Sequence, residues 1–260
     1  MLDAEVIHSN YTKFLDRIDK CFPTRAEAIK NMYSSFGEDR VMFAPASSTD
    51  YFHNAIPGGY IDHILRVMNF SITTLQLWEN MGLDISNFTK EELLFVAMHH
   101  DLGKLGHPGD GKECYTPNKS DWHIKNQGKV YEVNSQIPNM AIQDRSLYLL
   151  QSFNITCSHN EWLGIKIHDG MYDDANHPYL SSFSLKNKIR TNLIFIIHDA
   201  DMMAARFEFE RWNKANRQLN LNPIEAELAA TQVLTQNKKQ EKVKDVMGNL
   251  AADFNTLFKS

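Results

Sequence analysis

The chain has 260 residues, 43% of them hydrophobic and 23% charged, with 12 glycines, 8 prolines and a formal charge of -5. Such a chain can bury a substantial core, and its balance excludes wholesale disorder and any general attraction to nucleic acid or anionic membrane. The three cysteines, Cys21, Cys114 and Cys157, are widely spaced and form no C-x-x-C pair, so no disulfide framework is expected and a reducing compartment suits them. The first residues lack the basic and apolar regions of a secretory signal, and the best apolar run, LIFII at 193–197, falls far short of the roughly 20 residues of a membrane span. A cytoplasmic protein that does not cross a membrane is expected.

The helical period dominates. Ile7, Tyr11, Phe14 and Ile18 recur at helical spacing near the start. Thr24 to Glu27 reads as a capping box, followed by the stripe Ile29, Met32, Tyr33, Phe36 and a terminating Gly37. Residues 38–59 lose the period and contain Pro45, Pro57 and Gly58-Gly59, so they read as an ordered loop. A helix is predicted from Tyr60 to Met81, stopped by Gly82, and Thr89 to Glu92 gives a second capping box for a helix that reaches His99-His100-Asp101.

The stretch 103–121, rich in Gly, Pro, Asp and Lys, is the most loop-like of the chain. Ser158 to Glu161 is a third capping box, for a short helix ending at His168. A loop at 170–182 then precedes a long helix predicted over about Lys186 to Trp212. Asn222, Pro223 and Glu225 mark another helix start, and the tail closes with Leu250, Phe254, Leu257 and Phe258 on one face, suited to core packing or to a homo-oligomer seam. The expected architecture is an all-α bundle with irregular connections: N-terminal helices over 1–42, a core over 43–212 and a helical extension over 213–260, all in one domain.

A lone histidine or aspartate carries little information; their placement here carries more. His63 lies within a predicted helix, in GGYIDHILRV. His100 and Asp101 end an apolar helix, and Asp201 lies in IFIIHDADMMAARF, a segment apolar on nearly every side. A carboxylate in such a place is costly unless paired or bound to a metal. Two imidazoles and two carboxylates from three helices suit a divalent metal of borderline hardness. Asp199 competes with Asp201, because periodicity cannot separate them in a helix that is apolar almost all round.

The order His63, His100-Asp101, Asp201, with HHDLGK at 99–104 and ADMMAA at 200–205, resembles the H…HD…D pattern of the HD superfamily of metal-dependent phosphohydrolases. The resemblance spans roughly 43–206. It is closest to the HD domain of bacterial 3′-to-5′ exoribonucleases, from APASSTDYFHNAIPGGYIDHILRV to HDADMMAAR. It implies a helical fold and hydrolysis of phosphate esters or anhydrides at one or two divalent ions (Mn, Co, Fe, Ni, Mg or Zn), with His63, His100, Asp101 and Asp201 as ligands.

Lys104 would offset phosphate charge, and Arg66, one helical turn from His63, would face the same phosphate or form a structural ion pair. A second ion would use His123 and His168. Where the multi-metal branch often has two adjacent histidines, however, this chain has His168-Asp169, and an Asp can ligate or act as a base. His53, His107, His159 and His177 lie in or beside predicted loops, where they could contact substrate, and the plainer reading of each is a surface residue.

The expected substrate is a nucleotide. A 3′-to-5′ exonuclease acting on nucleic acid and a cyclic-nucleotide phosphodiesterase are the alternatives, followed by a non-catalytic regulatory or binding protein. No basic stripe with interleaved aromatics and no second nucleic-acid module is visible to favour the exonuclease.

Overall fold

The computed structural model describes residues 2–181 and 184–220, and these residues are all-α apart from one short antiparallel pair of strands. The chain falls into two compact units, Met1–Trp212 and Asn213–Ser260. The predicted cap at Asn222 and the apolar stripe of the tail lie outside the described residues.

Among the described residues ten helices follow in order: α1 Ala4–Cys21, α2 Ala26–Ser34, α3 Glu38–Phe43, α4 Gly59–Asn80, α5 Lys90–His99, α6 Asp121–Gln127, α7 Ile142–Ser152, α8 His159–Ile167, α9 His177–Leu180 and α10 Leu193–Asn220. None is long and apolar enough to cross a membrane. The stripe of α1 buries Ile7, Phe14 and Ile18, and that of α2 buries Ile29, Met32 and Tyr33. They close over α5, which is buried from Leu93 to His99 and forms the centre of the core.

Two of the three predicted capping boxes are formed. Thr89 and Ser158 each accept from the backbone N–H three residues on, and Glu92 and Glu161 reach back to the N-cap amides. A good cap is worth about 1 kcal/mol. These two also fasten α5 to α8, because the Ser158 hydroxyl donates to Glu92 at 2.6 Å and Arg25 pairs with both Glu91 and Glu161 at 2.8 Å.

The Thr24 box does not form. A tight turn after Phe22, closed by Arg25 N–H on the Phe22 carbonyl, places Arg25 at the N-cap of α2 and sends its side chain across to α5 and α8. Three boundaries also differ. The predicted loop at 38–59 contains α3, whose acidic first turn (Glu38, Asp39) suits a helix N-terminus. The segment 103–121 carries a 3-10 turn (Leu102–Leu105) and strand β1 (Tyr115–Pro117), which pairs antiparallel with β2 (Tyr131–Val133). The long last helix starts at Leu193 rather than near Lys186, where Thr191 Oγ1 accepts from Leu193 N, and it runs on to Asn220.

A two-stranded antiparallel pair is marginal by itself, and α6 lies between these two strands. Here the pair docks on the loop before α4: Tyr131 N donates to Ser48 O at 3.0 Å and Asp50 N to Gly128 O at 2.8 Å. Gly128 has φ +61 and a Cβ there would meet Asp50 Oδ1 at 2.2 Å, so any side chain would be strained. That docking holds the loop carrying His53 against the body of the helices. The three cysteines are free thiols.

Candidate metal centre

Four segments converge on one buried cluster. His63 sits in the second turn of α4, fully buried. The N-terminus of α4 is set by Gly59, where a Cβ would lie 2.0 Å from the Asn54 carbonyl oxygen. The preceding loop therefore packs directly on the helix and brings the His53 ring to 4.9 Å from that of His63.

His100 and Asp101 follow α5, with the chain turning sharply into the 3-10 segment that presents Lys104. The turn is clamped by α7. Gly103 N donates to Ser146 Oγ at 2.8 Å, the buried Arg145 donates to the Gly103 carbonyl, and a Cβ on Gly103 would meet the Ile142 carbonyl oxygen at 2.2 Å. His168 and Asp169 follow α8, and Asp201 lies in α10.

Ligand atoms of His63, His100 and Asp201 all lie within 4.8 Å of one another. So do those of His53, His63 and Asp101, of His100, Asp101 and His168, and of His168, Asp169 and Asp201. The four groups overlap through shared residues, so the cluster could hold a metal ion.

The imidazoles are oriented from behind. His63 Nδ1 faces both Glu208 oxygens at 3.2 Å, His100 Nδ1 the Ala97 carbonyl at 3.0 Å, and His168 Nδ1 the Ile165 carbonyl at 2.8 Å. With each Nδ1–H donating outward, Nε2 is the nitrogen that faces the cluster and, in the neutral ring, carries the lone pair. Nε2 of His63 and of His100 are buried without a hydrogen-bond partner. They nevertheless lie 3.1 and 3.8 Å from Asp201 Oδ1 and 3.6 and 3.4 Å from Asp101 Oδ2.

Buried ring nitrogens without a hydrogen-bond partner, beside buried carboxylates, are what a proton or a metal cation completes. The donor set, imidazole nitrogen with carboxylate oxygen, fits a divalent transition metal. His99 makes the contrast: its Nε2 is also unpartnered, but its ring lies among Phe22, Tyr33 and Phe95 with no carboxylate at hand. Burial pushes its pKa down to about 3, so it is a neutral core residue.

The charge balance points the same way. Burial alone would raise the Asp101 carboxyl, but the Lys104 ammonium and then His100 outweigh it and hold that carboxyl well below the usual range. Asp201 is depressed likewise, burial being outweighed by its contact with His63 and by His100. His63 is raised to about 10: Glu208 and then Asp201 outweigh its desolvation. The carboxylates thus demand positive charge, and the metal-free chain meets that demand with protons and with Lys104, whose Nζ is 2.6 Å from Asp101 Oδ2 and 3.0 Å from His53 Nε2. His53 is lowered to about 3, by burial first and then by Lys104.

The predicted site residues are distributed as follows. His63, His100, Asp101 and Asp201 converge, with Lys104 and His168 beside them. Asp199 belongs to none of the groups: two residues on a helix are 200° apart, so only one of the pair can face the cluster. Arg66 is engaged by neighbours on α4 and α10. Its Nε donates to Glu208 at 3.1 Å, its NH2 to Asp62 at 2.8 Å, and its guanidinium lies over the Phe207 ring, so it is the structural ion pair of the two alternatives.

His123 is exposed on α6 and belongs to no metal-ligating group among the described residues. His159 and His177 are exposed, and His107 is half-buried beside Tyr148.

Sequence reasoning missed two members. His53 reads as a surface residue because nothing local shows that its loop folds back over α4. Glu208, 1% exposed, had a legible signal: it lies seven residues, two turns, after Asp201 on the same face of α10.

No family model, curated protein or solved structure matches the chain.

Proposed function

We propose that the chain is a metal-dependent phosphohydrolase acting on nucleotides. The observation that carries the reading is the pair of buried, unpartnered Nε2 atoms of His63 and His100, set against Asp101 and Asp201 with every Nδ1 committed elsewhere. His63, His100, Asp101 and Asp201 would hold the first ion, and His168 and Asp169 stand ready beside them for a second.

A divalent ion at such a site supplies Lewis acidity toward a phosphoryl oxygen and lowers the pKa of water. The chain's own residues do the rest. Lys104 places a fixed positive charge at the edge of the cluster, where it offsets charge growing on phosphate oxygens. Asp169, with 43% of its side chain exposed, is the carboxylate placed to take a proton from an entering water. Glu208, held by Arg66, fixes the His63 ring. The H…HD…D order and the HHDLGK segment add the resemblance to this chemistry.

The test is phosphate release from a panel of nucleoside mono- and triphosphates with Mn²⁺, Co²⁺ or Mg²⁺, wild type against Asp101→Ala. Metal-dependent release lost in the variant is the expected result. No release from any nucleotide by a folded, metal-loaded wild type would sink the nucleotidase reading. Metal-dependent shortening of single-stranded oligonucleotides in a parallel arm would favour the exonuclease instead.

A further inference from the structure

Cover over the cluster is uneven. Of its carboxylates, the side chain of Glu208 is 0% exposed and that of Asp101 6%, against 21% for Asp201 and 43% for Asp169. The site therefore opens at the Asp169–Asp201 end. Directly beyond Asp169 the chain makes the turn Gly170–Tyr172, and between that turn and α10 lies a cavity of about 440 Å³, lined by Met171, Tyr172, Ile194, Phe195 and His198 among others. His198 precedes Asp201 by three residues, so it lies about 5 Å along the helix and on an adjoining face.

Three features mark this cavity as a binding site for an uncharged, flat group. Its described lining carries no Lys, Arg, Asp or Glu, so it suits the part of a substrate that is not phosphate. Its wall is fixed to the metal centre: His198 Nδ1 donates to the carbonyl of His168 at 2.8 Å, and the ring packs so closely on Gly170 that a Cβ there would lie 2.6 Å from His198 Cε1. With Nδ1 committed, Nε2 is the nitrogen that remains for a ligand. At the rim, Tyr172 is 81% exposed with its ring 5.9 Å from that of His198, a large aromatic surface without cover.

The second cavity near the cluster, by Lys104, Tyr115 and Tyr131, is a poorer candidate. Asp39 and Glu113 line it, and its Arg40 is committed to the carbonyls of His107 and Gly109.

We propose that the cavity between Gly170–Tyr172 and α10 is the nucleobase subsite, with Tyr172 as the stacking platform and His198 as the hydrogen-bonding wall. The inference rests on the phosphohydrolase reading for the phosphate end, and it narrows the substrate to a mononucleotide. A longer strand needs a basic track past the base, and the described lining offers none. The occupied site would turn the phosphate toward an ion held at the Asp169–Asp201 end of the cluster, with the base one helical turn away along α10.

The test uses binding, so that it does not depend on turnover. Saturation-transfer NMR on the full chain, in EDTA and again with Mg²⁺, would follow AMP, GMP, CMP, UMP and the base-free ribose 5-phosphate. Tyr172→Ala and His198→Ala would be compared with wild type, and Tyr148→Ala, which removes a half-exposed tyrosine elsewhere, serves as control. The expected result is saturation of base protons and a Kd for at least one nucleotide raised on the order of ten-fold in Tyr172→Ala, with ribose 5-phosphate unchanged. An unchanged nucleotide Kd in Tyr172→Ala, an equal loss in Tyr148→Ala, or no base saturation in wild type would overturn the subsite. Base binding through Tyr172 with no metal-dependent phosphate release would keep the subsite and refute the hydrolase reading; the reverse pattern refutes the subsite alone.

Discussion

Replacing Glu208 by Gln separates the orientation of a ligand from its identity. Glu208 touches no position where an ion would sit, yet both its oxygens lie 3.2 Å from His63 Nδ1 and one accepts from Arg66 Nε at 3.1 Å. The substitution keeps volume and an acceptor oxygen but removes the charge that sharpens His63 Nε2 as a donor. Losses from such outer partners run at roughly 10- to 100-fold in metal affinity, or about 1.4–2.8 kcal/mol. Glu208→Ala should cost more, and should also destabilise the fold by roughly 3–5 kcal/mol, because His63 and Arg66 lose a fully buried partner. The assay is titration calorimetry with Mn²⁺ or Zn²⁺, with thermal melts of both variants and of the more exposed Glu210→Gln as control. Affinity in Glu208→Gln equal to wild type would refute the claim that α10 orients His63 from behind.

Three further outcomes are expected. Stripping divalent metal with chelator should lower the melting temperature and re-addition should restore it, since an ion at 100 times its Kd adds about 2.7 kcal/mol of stability; Asp101→Ala should show no such response. Gly103→Ala should destabilise by roughly 1–3 kcal/mol and weaken metal binding with it, because the new Cβ must displace either the turn carrying His100-Asp101 or the backbone of α7; a melt and a titration coincident with wild type would show that the clamp is unimportant.

The Glu92 carboxyl is held below its ordinary 4.5, its partial burial being outweighed by bonds from the Ser158 hydroxyl, the Thr89 amide and Asn160. A depressed carboxyl contributes stability that is fully present above the unfolded-state value and lost as pH falls through the folded one. Urea melts of wild type and Glu92→Gln should therefore differ most at neutral pH and converge below about pH 4.5. A gap that is constant with pH would mean that the charge of Glu92 is immaterial.

Helix order and composition were legible because they depend on neighbours in sequence. Apolar spacing marks the buried faces of α1 and α2, and a capping box needs only residues three apart, as Thr89 and Ser158 demonstrate. The same local rule failed at Thr24, where the side chain of Arg25 finds its partners more than sixty residues away in Glu91 and Glu161. The candidate site divides in the same manner. That His100-Asp101 and Asp201 sit in apolar helices could be read directly, because a buried carboxylate is costly wherever its partner lies.

Two histidines could not be placed from the sequence. His53 enters because a glycine-dependent loop folds over α4, and His123 stays outside because α6 leaves it exposed on its surface. Arg66 turns to Glu208, and Asp201 rather than Asp199 faces the cluster, since α10 presents one side only to α4 and α5. The sequence by itself determined the kinds of group and the helices that carry them. Which of those groups meet was decided by the packing of helix on helix, because ligation needs atoms within a few ångströms across the fold, and spacing along a chain does not set that distance.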